Sequence, residues 1–240
     1  AMKFRHKNRL FIGVFSFLSL FSSLLLAETM MLSGSKDNTL YENTQGTLSN
    51  GGGQYFFAGR TQQALLRRGL LAFDIAGAIP TGVTIQSVEL KLSMSKTIVG
   101  DQPISLHRVS TDWGEGGSDA SDVNPNEGVG GPAATGDATW VHTFFNTSTW
   151  TTVGGDFVNT PSATQTVGGE GIYTWTSTAA MVADVQLWLD NPNQNHGWLI
   201  KGEESALSAK RFDSRQNANE QSRPVLTVIY STPPIFTDGF

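Results

Sequence analysis

The chain of 240 residues carries 16 Lys and Arg against 21 Asp and Glu, and it contains no cysteine. An acidic chain lacks the basic footprint that phosphate backbones demand, which excludes nucleic acid as a partner held by bulk electrostatics. Without cysteine there are neither disulfides nor thiol catalysis, so an exported form must be held by its core, by bound metal, or by both.

Residues 1–27 read as a secretory signal peptide. Lys3, Arg5, Lys7 and Arg9 precede an uncharged apolar run from Leu10 to Leu26, and the small Ala27 suits the cleavage position. Removing this segment takes four basic residues and no acid, leaving 12 against 21. The expected location is outside the cell or on its surface, with no membrane contact after cleavage. An uncleaved anchor is the alternative, since the run is at the lower limit of a bilayer span.

Thr29–Leu32 predicts a first strand, and the polar Lys36–Tyr41 a turn into a second. Gly51–Gly53 breaks the chain before Gln54–Gly59. Gly69–Ile75 is apolar at consecutive positions, as in a strand buried on both faces. Val88, Leu90, Leu92 and Met94 alternate with Ser87, Glu89, Lys91 and Ser93, giving one face in the core and one in water. Ile104–Val109 continues the pattern. Residues 111–137 form a long Gly- and acid-rich loop without apolar periodicity, of the kind that is functional, disordered or inserted. Aromatic-rich strands are expected within 138–153 and at Gly171–Trp175.

Met181, Val182, Val185, Trp188 and Leu189 make one apolar stripe at helical spacing, with Thr178 to cap its start and Asn191-Pro192 to end it. Trp198–Ile200, the cationic stretch Ser208–Arg215 and Pro224–Tyr230 supply the last strands. Residues 231–240 read as a tail. The fold class is all-β, a jelly-roll-like antiparallel β-sandwich over 28–230 with one short helix near 178–190.

Several segments taken together resemble the DNRLRE domain family, also called disaggregatase-related. They are Asp37–Leu40, Arg68–Ile75, the Ile79-Pro80 turn through Leu92, Asp112-Trp113-x-Glu115-Gly116, Gly136–Trp140, Asn195-x-Gly197-Trp198, Ala209–Arg215 and Arg223–Tyr230. The resemblance implies a jelly-roll-like sandwich in exported bacterial and archaeal proteins. Some relatives are carbohydrate-binding modules similar to those of alginate lyases, and others belong to large surface or adhesion proteins. The 116–136 stretch departs from the family pattern as an insertion between Trp113-x-Glu115 and Thr139-Trp140.

Candidate sites follow from side-chain chemistry. Read as a strand, Ser208–Arg215 puts Lys210, Phe212 and Ser214 on one face and Arg211, Asp213 and Arg215 on the other. Either these cations pair inside the fold, with Asp213, Asp74 or Glu203, or Lys210, Arg211 and Arg215 join Arg60 and Lys201 in gripping uronate carboxylates. The planar fork of arginine suits that task. Tyr55 and Trp150 are the aromatics expected to be exposed as a sugar-stacking platform. Asp112, Glu115 and Asp137 offer the hard oxygens that Ca²⁺ takes, against a plain solvated loop. His107, His142 and His196 lack metal-ligand spacing, and no Ser-containing nucleophile elbow is present. The leading expectation is a secreted, non-catalytic module for an extracellular polysaccharide, acidic ones included. The alternatives are a self-assembling surface or matrix protein and a polysaccharide lyase or hydrolase, for which Asp112 with Glu115 would be the carboxylate pair.

Overall fold

The computed structural model of the chain describes residues 27–233. The signal-like segment before Ala27 lies outside the described residues, as does the tail from residue 234. Eleven strands join in one curled antiparallel sheet: β1 (Ala27–Ser33), β2 (Lys36–Tyr41), β3 (Tyr55–Arg60), β4 (Leu66–Ala72), β5 (Thr84–Thr97), β6 (Gln102–Arg108), β7 (Ala163–Val167), β8 (Gly171–Trp175), β9 (Trp198–Lys201), β10 (Lys210–Asp213) and β11 (Val225–Ser231). Their spatial order is β1-β11-β5-β10-β3-β4-β9-β6-β7, with β8 added to β5 and β2 to β4. Strand β3 pairs with β10 over Tyr55–Ala58 and with β4 only through Gly59 and Arg60, so the sheet folds back on itself there. Gly59 at φ +108° has no room for a Cβ, which would meet the Ser208 carbonyl carbon at 2.7 Å. The result is the expected all-β sandwich.

The alternation along β5 appears as read, with Val88, Leu90, Leu92 and Met94 buried between the two halves. Phe56, Leu71, Ile104, Leu106, Trp175, Trp198 and Phe212 complete that core. Helix α2 (Ala179–Asp190) caps one side of it, its first turn held by Thr178 Oγ1 accepting from Met181 N at 3.0 Å. A shorter helix, α1 (Ile75–Ala78), ends the apolar run after β4, where Asp74 caps Gly77 N.

Two expectations need correction. Lys36–Tyr41 is a strand in its own right, buried from Asp37 to Tyr41 and paired with all but the first residue of β4. The 111–137 stretch is packed, because β4 and β9 are buried on both faces. Leu71, Trp198 and Ile200 face the sandwich core, while Leu70 and Leu199 face a second cluster with Leu40, Trp113, Trp140 and Trp150. The long connection from 109 to 162 is the lid over that outer face.

Candidate ligand groove

Strand β5 carries an irregularity that turns a cation outward. Lys96 is in phase with Val88 to Met94 and would point into the core of a regular strand. Against β10, however, Arg211 pairs with Lys96 and Phe212 with Met94, so Ser95 is an extra residue. After this bulge Lys96 is exposed and stands directly across from Arg211. Like charges opposite one another on neighbouring strands destabilise a sheet. Stability alone does not account for that pair.

Arg211 sits over the Tyr55 ring, its Cζ 3.8 Å from the centroid, with Nε 3.1 Å from Ser95 Oγ and Nη2 3.3 Å from the Ser95 carbonyl. A guanidinium has five N–H donors, so three are free for a ligand. Lys96 Nζ donates to Asn126 Oδ1 at 3.0 Å. Buried Arg67 donates to the carbonyls of Gly128 and Leu66 and packs over Tyr41, with burial pulling its pKa below the ordinary value. Arg67, Lys96 and Arg211 make no ion pair among the described residues. All three line one groove of about 190 Å³, together with Gln62, Gln63, Asn126, Phe57 and Ile98. No residue lining it is acidic. Glu127, next to Asn126, is turned inward, where Asn50 Nδ2 and the N–H groups of Gln54 and Tyr55 hold its carboxylate.

The sequence-predicted cations divide sharply. Only Arg211 offers free donors to the groove. Lys210 contributes to its wall, but its residue is 1% exposed and its ammonium donates to Thr97 Oγ1 and the Val99, Gly100 and Gly168 carbonyls at 2.7–2.9 Å. It pins the β5–β6 turn and is no ligand contact. Arg215 is held bidentately by Glu115, at 2.6 and 2.7 Å, and by neither Asp213, Asp74 nor Glu203. Arg60 donates to the Ser205 and Ala64 carbonyls, bracing the hairpin beside the groove. Lys201 pairs with Glu204 at 3.4 Å and lines a different pocket. Of the aromatics, Tyr55 is half-buried beneath Arg211. Trp150 is buried, its Nε1 donating to the Thr139 carbonyl, because it belongs to the lid over the second apolar face.

Each of the three acids expected to hold Ca²⁺ has protein partners of its own. Asp112 accepts from Lys36 Nζ and Trp113 N, and that lysine lowers its pKa against the opposing effect of burial. Glu115 is taken by Arg215, Gln216 and the Asp37 N–H. Asp137 accepts from Gly117 N, Ala134 N and Ser118 Oγ. Among the described residues no group of three or more His, Asp or Glu is disposed to hold a metal. Among them, too, no helix is long and apolar enough to cross a membrane.

Arg67 and Lys96 escaped the sequence reading. Lys96 could not be found from periodicity, since the pattern places it inward and only the bulge reverses it. Arg67, beside Arg68 at the start of a strand, gave no sign of which of the two would be paired. Arg68 is, to Glu204. Comparison of the chain with protein-family models and with curated proteins yields no match.

Proposed function

We propose that the protein is an exported carbohydrate-binding module whose groove takes an acidic extracellular polysaccharide. The observation that supports this most is the unpaired trio Arg67, Lys96 and Arg211 in an acid-free groove of an otherwise acidic chain. Arg211 supplies a planar fork for a carboxylate, Lys96 a mobile charge, Gln62 and Asn126 amides for hydroxyl groups, and Phe57 with Ile98 apolar surface for a sugar face. The resemblance to DNRLRE domains points the same way.

The test is calorimetric titration with alginate and pectin oligomers and with a neutral glucan, in Ca²⁺ and in chelator. Uronate oligomers are expected to bind and the glucan not to. Arg211→Ala and Lys96→Ala are each expected to weaken binding at least tenfold with unchanged melting temperature. Equal affinity for uronate and neutral chains, or binding indifferent to both substitutions, would overturn the reading.

A further inference from the structure

A second constellation sits on the other half of the sheet. Along β6, Ile104 and Leu106 enter the sandwich core, so Ser105 and His107 share the outer face. His107 Nδ1 lies 2.9 Å from the Val158 carbonyl oxygen, which can only accept, so Nδ1 carries the proton. His107 Nε2 is then a bare lone pair, and it lies 2.9 Å from Ser105 Oγ. The hydroxyl proton has two acceptors in reach, His107 Nε2 at 2.9 Å and the Lys201 carbonyl at 3.2 Å, and the imidazole is the nearer. The ring is fixed in this orientation by an edge contact with Phe157, at 5.2 Å between centroids. Burial, with Lys201 and Arg68 nearby, pulls the pKa of His107 down, which favours the neutral imidazole.

Both residues open onto a pocket of about 290 Å³ walled by Pro103 and Pro161. Lys201 and Thr164 flank Ser105 on the neighbouring strands, each directly opposite it in register. Opposite residues stand with Cβ atoms about 5 Å apart, so the Lys201 side chain, whose ammonium pairs with Glu204 at 3.4 Å, leaves the sheet beside Ser105. A serine whose proton is already directed at an oriented neutral base, beside a cation and an open cavity, is the arrangement of an activated nucleophile.

We propose that Ser105 and His107 are a catalytic pair that hydrolyses small O-acyl esters of uncharged alcohols. Ser105 Oγ bonds to the acyl carbon as its proton passes to His107 Nε2. The carbonyl electron pair moves onto oxygen. Collapse breaks the bond to the alcohol, which leaves with the proton from His107. Water then attacks the acyl-serine, giving one proton to His107, and the carboxylic acid departs as Ser105 recovers its hydrogen. Glu203 lines the same pocket and makes no ion pair among the described residues, so it disfavours anionic substrates. This site shares no residue with the groove of Arg67, Lys96 and Arg211, so either stands if the other fails.

A fluorophosphonate probe, with the adduct located by peptide mass spectrometry, tests the proposal alongside p-nitrophenyl acetate hydrolysis. The full chain is expected to be labelled at Ser105 and to hydrolyse the ester. Ser105→Ala should abolish labelling at that peptide, and His107→Gln should slow it at least tenfold while the circular dichroism spectrum stays native. Wild-type protein with a native spectrum and no adduct at Ser105, or labelling equal in His107→Gln, would overturn it.

Discussion

Asp37 is the residue whose charge the fold tolerates least. It is 1% exposed, its Oδ2 accepts from Arg215 N at 2.7 Å, and its Oδ1 has no hydrogen-bond partner. Burial, with Glu115 and Glu127 adding to it, pushes its pKa from 3.8 to about 7 despite Arg215. Between those values the folded state keeps a proton that the unfolded state has released, so stability falls as pH rises from about 4 to about 7 and then levels. The full shift corresponds to an upper limit on the order of 4 kcal/mol. Asp37→Asn keeps the acceptor for Arg215 N and is expected to flatten the dependence; urea unfolding of both proteins at pH 5 and pH 8 checks it. An equal pH slope in the variant would refute the assignment.

At this scale the sequence was legible where neighbours decide and opaque where distant residues do. That Lys210 and Phe212 share a face is visible in strand alternation; that this face is the buried one is not. Which arginine is neutralised is not, since the carboxylate that takes Arg215 is Glu115, on a distant loop.

Among the elements, helix α2 shows how a correct periodicity can miss the decisive contact. Its apolar stripe and Thr178 cap were readable, yet the residue that locks it to the sheet is polar. Asp184 is buried and accepts from Trp198 Nε1 at 2.8 Å and Ser162 Oγ at 2.5 Å, while pairing with Arg108 at 2.9 Å. Asp184→Ala strands all three partners and is expected to cost about 3 kcal/mol in urea unfolding. Thr178→Ala, which removes the cap bond and the hydroxyl's bond to the Ser162 carbonyl at 2.6 Å, should cost about 1–2 kcal/mol. Equal losses in the two variants would show that the cap holds the helix as firmly as the network. Lys36–Tyr41 was misread for a related reason. Asp37, Asn38 and Thr39 have turn-like side chains, but Asn38 satisfies its amide within the fold, on Ser49 Oγ and the Glu115 carbonyl.

For the whole molecule, the sandwich was legible because β5 and β6 alternate cleanly. The second buried face was not. Its aromatics come from a connection without period, and they become a cluster only once β4 and β9 present Leu70 and Leu199 to them. The groove lies where the sheet turns from one half to the other, at the β3–β4 hairpin, so its cations come from three separate strands, β4, β5 and β10.

The pairing of the first strand with the last gives the molecule a mechanical character. Ala27 stands opposite Ser231, and the register runs from there to Ser33 opposite Val225. Tension applied to those two ends acts on the same end of an antiparallel pair, across its hydrogen bonds, and parts them one rung at a time. Of β1, only Leu32 is buried in the core. In an optical trap the first event should be a small reversible lengthening of roughly 20–25 Å, the span of the freed strand, before the sandwich yields. A single cooperative rupture of the whole domain would contradict it. Under load, β1 is a compliant leader that gives way while both pockets keep their shape.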